Sequence, residues 1–238
     1  ATIVIIGAGL GGVPMAYEMK DLAQPDDRVV MVSDKDYYHF VPSNPWVAVG
    51  WRKREEIAVD LAKPMHKRKI ELVIATVSKV KPADNTLEFA DGSSLEYDHL
   101  IIATGPRLAF DEIEGLGPEG FTNSICHIDH AEKAHDNWMQ LIDNPAPIVV
   151  GAVQAASCFG PAYEMAFIMD ADLRKRKIRD KIPMTFVTPE PFIGHLGLDG
   201  VGDSKTMLEA ELRKHHIDWI CNAKVEKVEA GVMQVIEC

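Results

Sequence analysis

Cysteine is scarce in this chain of 238 residues: the four, at Cys126, Cys158, Cys221 and Cys238, show no Cys-x-x-Cys pairing. That argues against a disulfide-built scaffold and a paired-cysteine zinc site, so any role of the cysteines rests on reactivity. Positive charge is also in deficit. Lys+Arg number 25 against 36 Asp+Glu, a net −11, which opposes attraction to phosphate and argues against nucleic acid as a partner. Long hydrophobic runs are missing too. The longest uncharged stretch, Asn144 to Tyr163, is broken by Pro145, Pro147, Gln154, Ser157, Gly160 and Pro161, so no transmembrane span is expected. No basic leader precedes the apolar run Thr2 to Ile6, so no signal peptide is expected. Neither repeats of solenoid period nor low-complexity segments occur.

What is present is an alternation of apolar runs and helical patterns. Ile3 to Ile6 is bounded at once by glycine, as in a parallel strand buried on both faces. A helix from about Gly11 to Lys20 and a strand Val29 to Val32 complete one βαβ unit. Tyr37 to Trp51, aromatic and proline-rich without period, reads as a loop. A helix near Ile57 to Lys63 is expected to end at Pro64. Strands follow over Glu71 to Val80, Thr86 to Phe89 and Leu95 to Thr104, with Asp91-Gly92 as the hairpin turn between the last two. From Ala109 a second unit reads helix Asp129 to Ile142, strand Pro147 to Val150, helix Pro161 to Arg174, strand Met184 to Val187, helix Asp203 to His215 and strand Ile217 to Cys221. Lys224 to Val228 and Val232 to Ile236 form a closing hairpin. The expected fold class is α/β, with two Rossmann-like dinucleotide-binding units in tandem over residues 1–108 and 109–238.

Gly7-Ala8-Gly9-Leu10-Gly11-Gly12 matches G-x-G-x-x-G at Gly7, Gly9 and Gly12, between a strand and a helix. In that setting the glycines permit a tight turn and bring backbone N–H groups and the helix N-terminus close to a pyrophosphate. The acidic residue expected about twenty positions on is replaced by Ser33, with Asp34 beside it.

Cys158 lies just before Gly160-Pro161, and proline favours a first helical turn, so its sulfur is expected near a helix N-terminus that stabilises a thiolate. Cys126 lies three residues before Asp129, which with Glu132 resembles a capping box. Cys221, in an apolar strand, reads as a small buried hydrophobe, and Cys238 is terminal. Cys126, His127, Asp129 and His130 have some metal-ligand character, but nothing completes a tetrahedron, so no metal is expected. Arg174 to Lys181 reads as a solvated helix end in preference to a lipid-headgroup patch.

Tyr97 to Gly105, ending Ala103-Thr104-Gly105, resembles the strand that passes the flavin in flavin disulfide reductase-like enzymes, and Ala75-Thr76-Val77 resembles their adenine-side segment. Phe40-Val41-Pro42-Ser43-Asn44-Pro45-Trp46, Ser124-Ile125-Cys126, Ser157 to Glu164 and Ile193-Gly194-His195-Leu196-Gly197 resemble sulfide:quinone oxidoreductases of the bacterial type with redox cysteines. The resemblance runs from Thr2 to about Val235. It implies FAD bound through Gly7, Gly9, Gly11, Gly12, Ser33, Asp34, Val41, Pro42, Thr76, Val77, Thr104 and Gly105. It also implies that sulfide attacks an oxidised sulfur bridge including Cys158, that polysulfide is stored or released at Cys126, and that electrons pass through FAD to quinone. By the same resemblance Glu164, expected in the first turn after Cys158, accepts a proton, and His130 and His195 match positions suspected of proton handling. Each of these three has a structural alternative as an outward glutamate or a hydrogen-bonding histidine.

The third redox cysteine, a last flavin motif, the quinone pocket and the membrane helices belong to the family's C-terminal half, which this sequence lacks. A peripheral protein of the bacterial inner membrane, touching the membrane through that half and compatible with a homo-oligomer, is the implied setting. Where NADH-oxidising relatives carry a second glycine fingerprint, this chain reads Gly151-Ala152-Val153-Gln154-Ala155-Ala156, which disfavours NADH. The alternatives are a sulfide dehydrogenase flavoprotein feeding a cytochrome, a type II NADH:quinone oxidoreductase, and a flavin-binding fragment without turnover.

Overall fold

The structure, a computed structural model, describes residues 1–237, and Cys238 lies outside the described residues. In chain order the elements begin β1 (Thr2–Ile6), α1 (Gly12–Leu22), β2 (Arg28–Ser33), β3 (Tyr37–His39), α2 (Asn44–Ala48), α3 (Arg54–Ile57), β4 (Ala58–Asp60) and α4 (Ala62–Lys67). Then come β5 (Glu71–Ile74), β6 (Val77–Lys81), β7 (Thr86–Phe89), β8 (Ser94–Glu96) and β9 (His99–Ile102). The remainder is α5 (Ile128–Asp143), β10 (Ile148–Gly151), α6 (Gly160–Lys175), β11 (Met184–Val187), α7 (Ser204–Lys214), β12 (Ile217–Ile220), β13 (Ala223–Glu229) and β14 (Val232–Glu237).

The described chain divides into two compact units, one of Ala1–Val41 with Arg54–Leu108, the other of Pro42–Lys53 with residues 109–237. In the first, parallel strands lie in the order β5-β2-β1-β9. Alternate residues serve opposite faces, as strand geometry requires. Val4, Ile6, Val30 and Val32 pack on Leu87, Phe89 and Tyr97 of the antiparallel β6-β7-β8 sheet and its flank. Ile5, Val29 and Met31 pack on Ala16, Leu61 and Met65 from the helical side. Burial on both faces accounts for the unbroken apolar runs.

The second unit carries parallel strands in the order β10-β11-β12, with α6 and α7 as crossovers, and the β13-β14 hairpin. Its core gathers Trp138, Tyr163, Leu173, Ile182, Met184, Phe186 and Leu212, with Val49 contributed by the 42–53 segment. Both units thus have the α/β, parallel-sheet character expected.

Several local expectations are corrected. Tyr37 to Trp51 is no plain loop: it holds β3, a 3-10 turn Val41–Ser43 and α2, in which Asn44, Pro45, Val47 and Ala48 are buried. Pro64 does not end a helix but sits in the first turn of α4, where its missing N–H costs nothing. The run Glu71 to Val80 breaks at Ala75-Thr76 into β5 and β6, which join different sheets. Leu95 to Thr104 likewise splits at Tyr97-Asp98 into β8 and β9, and Thr104 lies beyond the strand. Cys221 falls just after β12.

The basic run at Arg174 to Lys181 is largely the solvated helix end expected, with Arg174, Lys175, Arg176, Lys177 and Lys181 exposed, but Arg179 is buried and three of its arginines reach buried aspartates. Arg174 Nε and Arg179 Nε bond Asp170 at 2.7 and 2.6 Å, and Arg176 Nε bonds Asp172 at 2.7 Å. Asp170, Asp172 and Arg179 are all buried, so these charges hold the interior together.

Candidate functional site

In the first unit the four parallel strands end at one edge. Gly7 N–H donates to Val32 O at 2.8 Å, Ala75 N–H to Ser33 O at 2.8 Å and Ala103 N–H to Ile6 O at 2.8 Å. These bonds set Gly7, Ser33, Ala75 and Ala103 side by side, at the carboxyl edge where open α/β sheets bind ligands. The glycines there have distinct reasons. A Cβ at Gly7 would come within 2.4 Å of Ala103 O, and one at Gly12 within 1.7 Å of Gly7 O. Packing demands both. A Cβ at Gly9 would meet nothing within 4 Å, and one at Gly11 only Ala103 Cβ at 3.8 Å. No neighbour in the protein requires glycine at position 9, whereas a pyrophosphate approaching the backbone does. The N-cap of α1, Gly11, supplies no side-chain cap to the helix's first N–H groups.

Around this edge Ser33 is buried and its Oγ accepts from Lys35 N–H at 3.1 Å, while Asp34 beside it is exposed. In the first unit Val41, Thr76, Thr104 and Gly105 are exposed and Val77 is half-buried; Pro42, which belongs to the second unit, is also exposed. Leu10 and Ile102 expose 50% and 62% of their surface, unusual for apolar side chains beside a glycine loop and suited to a flat ligand. The residues present therefore fit a dinucleotide.

In the second unit Cys126 and Cys158 occupy matching places. Each is exposed and immediately precedes the N-cap of a helix of 16 residues, His127 for α5 and Phe159 for α6. Both thiols are free. The expected capping box is corrected: His127 is the cap, its Nδ1 accepting from Asp129 N–H at 3.3 Å, and Asp129 is already helical. Phe159 gives α6 no side-chain cap, so that helix's positive end is open beside Cys158. Glu164 is exposed and is the fifth residue of α6, so it lies in the second turn and not the first.

His130 lies in the first turn of α5, its ring 5.5 Å from that of His127 and 5.8 Å from that of Phe110. Its Nδ1 is buried with no partner among the described residues, an arrangement that costs ~1–3 kcal/mol. His195 differs. Its Nδ1 accepts from Gly197 N–H at 3.1 Å, so Nε2 carries the proton toward Asp199 Oδ1 at 3.0 Å. Both of its ring nitrogens thus serve its own loop. Among the described residues no group of three or more His, Cys, Asp or Glu could hold a metal ion.

Three features lay beyond the sequence reading. Gln154 bonds the backbone of Val225 twice, Nε2 to O at 2.8 Å and Oε1 from N–H at 3.0 Å. Glu190, 2% exposed, is reached by Tyr163 Oη at 2.8 Å and Thr188 Oγ1 at 2.7 Å. Burial, opposed by the bond from Gly194 and reinforced by that to Glu190, pushes the Tyr163 phenol far above its usual range. Cys221 is also raised, by burial first and by the Glu190 charge second, which keeps it a thiol. The position of Thr188-Pro189-Glu190, just past the end of a buried strand, was the one available signal for this cluster.

Comparison with known proteins agrees with the motifs. The chain is 42% identical over 95% of its length to a sulfide-quinone reductase of Aquifex aeolicus, of which it covers 52%. It is 27% identical over 77% of its length to a mitochondrial sulfide:quinone oxidoreductase of Dictyostelium discoideum, covering 41% of that protein. It therefore spans about half the length of the curated relatives it matches. The crystal structure of the sulfide:quinone oxidoreductase from Aquifex aeolicus superposes with a TM-score of 0.91 at 40% identity, over 99% of this chain and 56% of that one. The resemblance read from the glycine and cysteine motifs is thus found independently. The pattern of pyridine nucleotide-disulphide oxidoreductases matches residues 1–236, and this chain belongs to that family.

Proposed function

We propose that this chain is the N-terminal part of an FAD-dependent enzyme that oxidises sulfide to polysulfide through Cys158 and Cys126 and passes the electrons to quinone. The observation carrying the reading is the pairing of a glycine-edged carboxyl end in one unit with two exposed, free cysteines at helix entrances in the other. The sulfide-quinone reductase relatives supply the substrate class. FAD, when bound, supplies a two-electron sink. Gly7 and Gly12 shape the loop that would hold it, Gly9 and Gly11 would leave room for the pyrophosphate, and the exposed Asp34, in preference to the buried Ser33, would bind the ribose.

In the chain's own chemistry, hydrosulfide attacks an oxidised sulfur bridge that includes Cys158. The S–S bond breaks, Cys158 keeps the added sulfur as a persulfide, and the partner sulfur leaves as thiolate. The open end of α6 stabilises negative sulfur at position 158. His130, with its unpartnered Nδ1, accepts a proton near Cys126, and Glu164 does so at the solvent side of α6. Cys126 stores or releases the growing chain. Contact with a membrane surface belongs to the remainder of such an enzyme; among the described residues no helix is long and apolar enough to cross a membrane.

Anaerobic sulfide titration of the flavin-loaded protein, followed near ~450 nm, tests this. Bleaching by sulfide and not by NADH, lost in Cys158→Ala and reversed by a quinone analogue, is the expected result. Bound flavin indifferent to sulfide overturns it.

A further inference from the structure

Glu190 takes no part in the reaction above, yet it is a buried carboxylate with several donors just past the end of β11. Besides Tyr163 and Thr188 it accepts Leu196 N–H on Oε1 at 2.6 Å. The Tyr163 hydroxyl in turn accepts Gly194 N–H at 3.0 Å. Both donors belong to the loop Ile193 to Gly200, which is bent by positive φ at Gly194, Leu196, Gly197, Asp199 and Gly200. Leu196 and Asp199 are not glycine, so the loop is strained and persists only where its surroundings dictate it. At Gly194 a Cβ would lie 2.7 Å from Ser204 O, which closes that turn to any other residue.

The loop is tied to α6 at two places. Tyr163, the fourth residue of α6, holds Gly194 by hydrogen bond. Phe159, the N-cap, lies against Gly197, where a Cβ would stand 3.4 Å from the ring carbon Cε2. The residue before Phe159 is Cys158.

We propose that Glu190 and Tyr163 are positioning residues that hold the loop Ile193 to Gly200 against Phe159 and thereby set the presentation of Cys158 at the open end of α6. The proposal rests on the reading above only in taking Cys158 as the reacting sulfur. Removing the clamp frees the backbone beside Cys158, whereas Cys126 stands at the entrance of a different helix, α5.

Tyr163→Phe in the full chain removes only the hydroxyl and keeps the ring stacked on Phe186, at a centroid distance of 4.3 Å. Alkylation by iodoacetamide, resolved by site with mass spectrometry from about pH 6 to about pH 9, reports both thiols in one sample. Alkylation of Cys158 roughly fivefold faster, with Cys126 unchanged, is the expected result. Equal rates at Cys158 in wild type and variant, or equal acceleration at both cysteines, overturns the proposal. Should Tyr163→Phe fail to fold, Thr188→Val removes another donor from the same carboxylate and carries the same outcomes. Sulfide bleaching of the wild type tests the underlying reading separately: its absence sinks that reading and leaves the alkylation result to decide the clamp.

Discussion

Trp51 donates its indole N–H to Asp172 across 2.8 Å, joining residues 121 positions apart in the chain. Trp138 donates to the other carboxylate oxygen at 2.9 Å, and Arg176 binds there at 2.7 Å. A buried carboxylate with three donors is compensated for leaving water. The bond explains why Pro42–Lys53 packs with the second unit although its flanks belong to the first. Asp172→Ala leaves the buried Trp138 N–H without its acceptor and Arg176 without its counter-ion. A loss of about 1–3 kcal/mol in urea unfolding is expected, from the buried Trp138 N–H left unpaired. Trp51→Phe, which removes one donor of three, costs about 1–3 kcal/mol by the same measurement. A loss under 1 kcal/mol for Asp172→Ala would show that the cluster does not anchor the segment.

Gly9 and Gly12 separate ligand from packing. Gly12→Ala forces a Cβ into Gly7 O, so the first unit is expected to lose about 1–3 kcal/mol of stability. Gly9→Ala meets no protein atom and leaves stability within about 0.5 kcal/mol. It is expected to weaken flavin binding by tenfold or more, that is, by ~1.4 kcal/mol. Flavin titration and thermal melts of the flavin-free proteins check both; an unchanged flavin affinity in Gly9→Ala refutes the assignment of that edge.

Asp170 is expected to contribute to the acid limit. Burial disfavours its charge, but Arg174, His215 and Arg179 outweigh burial and hold the carboxyl below its ordinary range. A folded value depressed below the unfolded one, near ~3.9, contributes stability that is present above that pH and lost as pH falls through the folded value. The urea midpoint is therefore expected to fall below pH ~4. Asp170→Asn is expected to lose about 3–5 kcal/mol at neutral pH, because Arg179 is left buried without its counter-ion, and to show a flatter acid limb. An acid limb as steep as that of the wild type would place the titrating group elsewhere.

Gln154 tests the cofactor preference of the second unit. Gln154→Ala strips both partners from the Val225 backbone, and a cost of about 1–3 kcal/mol is expected. NADH-dependent flavin reduction is not expected to appear, because Val153 and Ala156 still stand where glycines would be needed. Its appearance would mean that Gln154 alone excludes the dinucleotide.

The α/β plan was legible in the chain itself. Apolar runs such as Ile3–Ile6 and Val29–Val32, each flanked by glycine or charge, admit little besides strands buried on both faces, and the spacing of Gly7, Gly9 and Gly12 is local backbone chemistry. Placing Cys158 before Gly160-Pro161 needed no tertiary information, because proline in a first turn is a local preference. Resemblance added the flavin and sulfur assignments, which no periodicity carries.

Tertiary structure alone decided the rest. Ala75-Thr76 and Tyr97-Asp98 are breaks only because successive strands join different sheets, and pairing partners are not encoded in a strand's own pattern. Asn44 to Ala48 becomes a buried helix by packing on α5 and α6 far along the chain, with Asn44 donating to Ile125 O at 2.8 Å and Trp51 to Asp172. Arg179 looks like a solvent-facing cation until the buried Asp170 it compensates is seen. The role of Glu190 rests on donors from Tyr163, Thr188 and Leu196, and Leu196 keeps its left-handed turn through the bond it gives. Short-range preferences set where elements form, and charge compensation and close packing between distant residues set which side chains become a site.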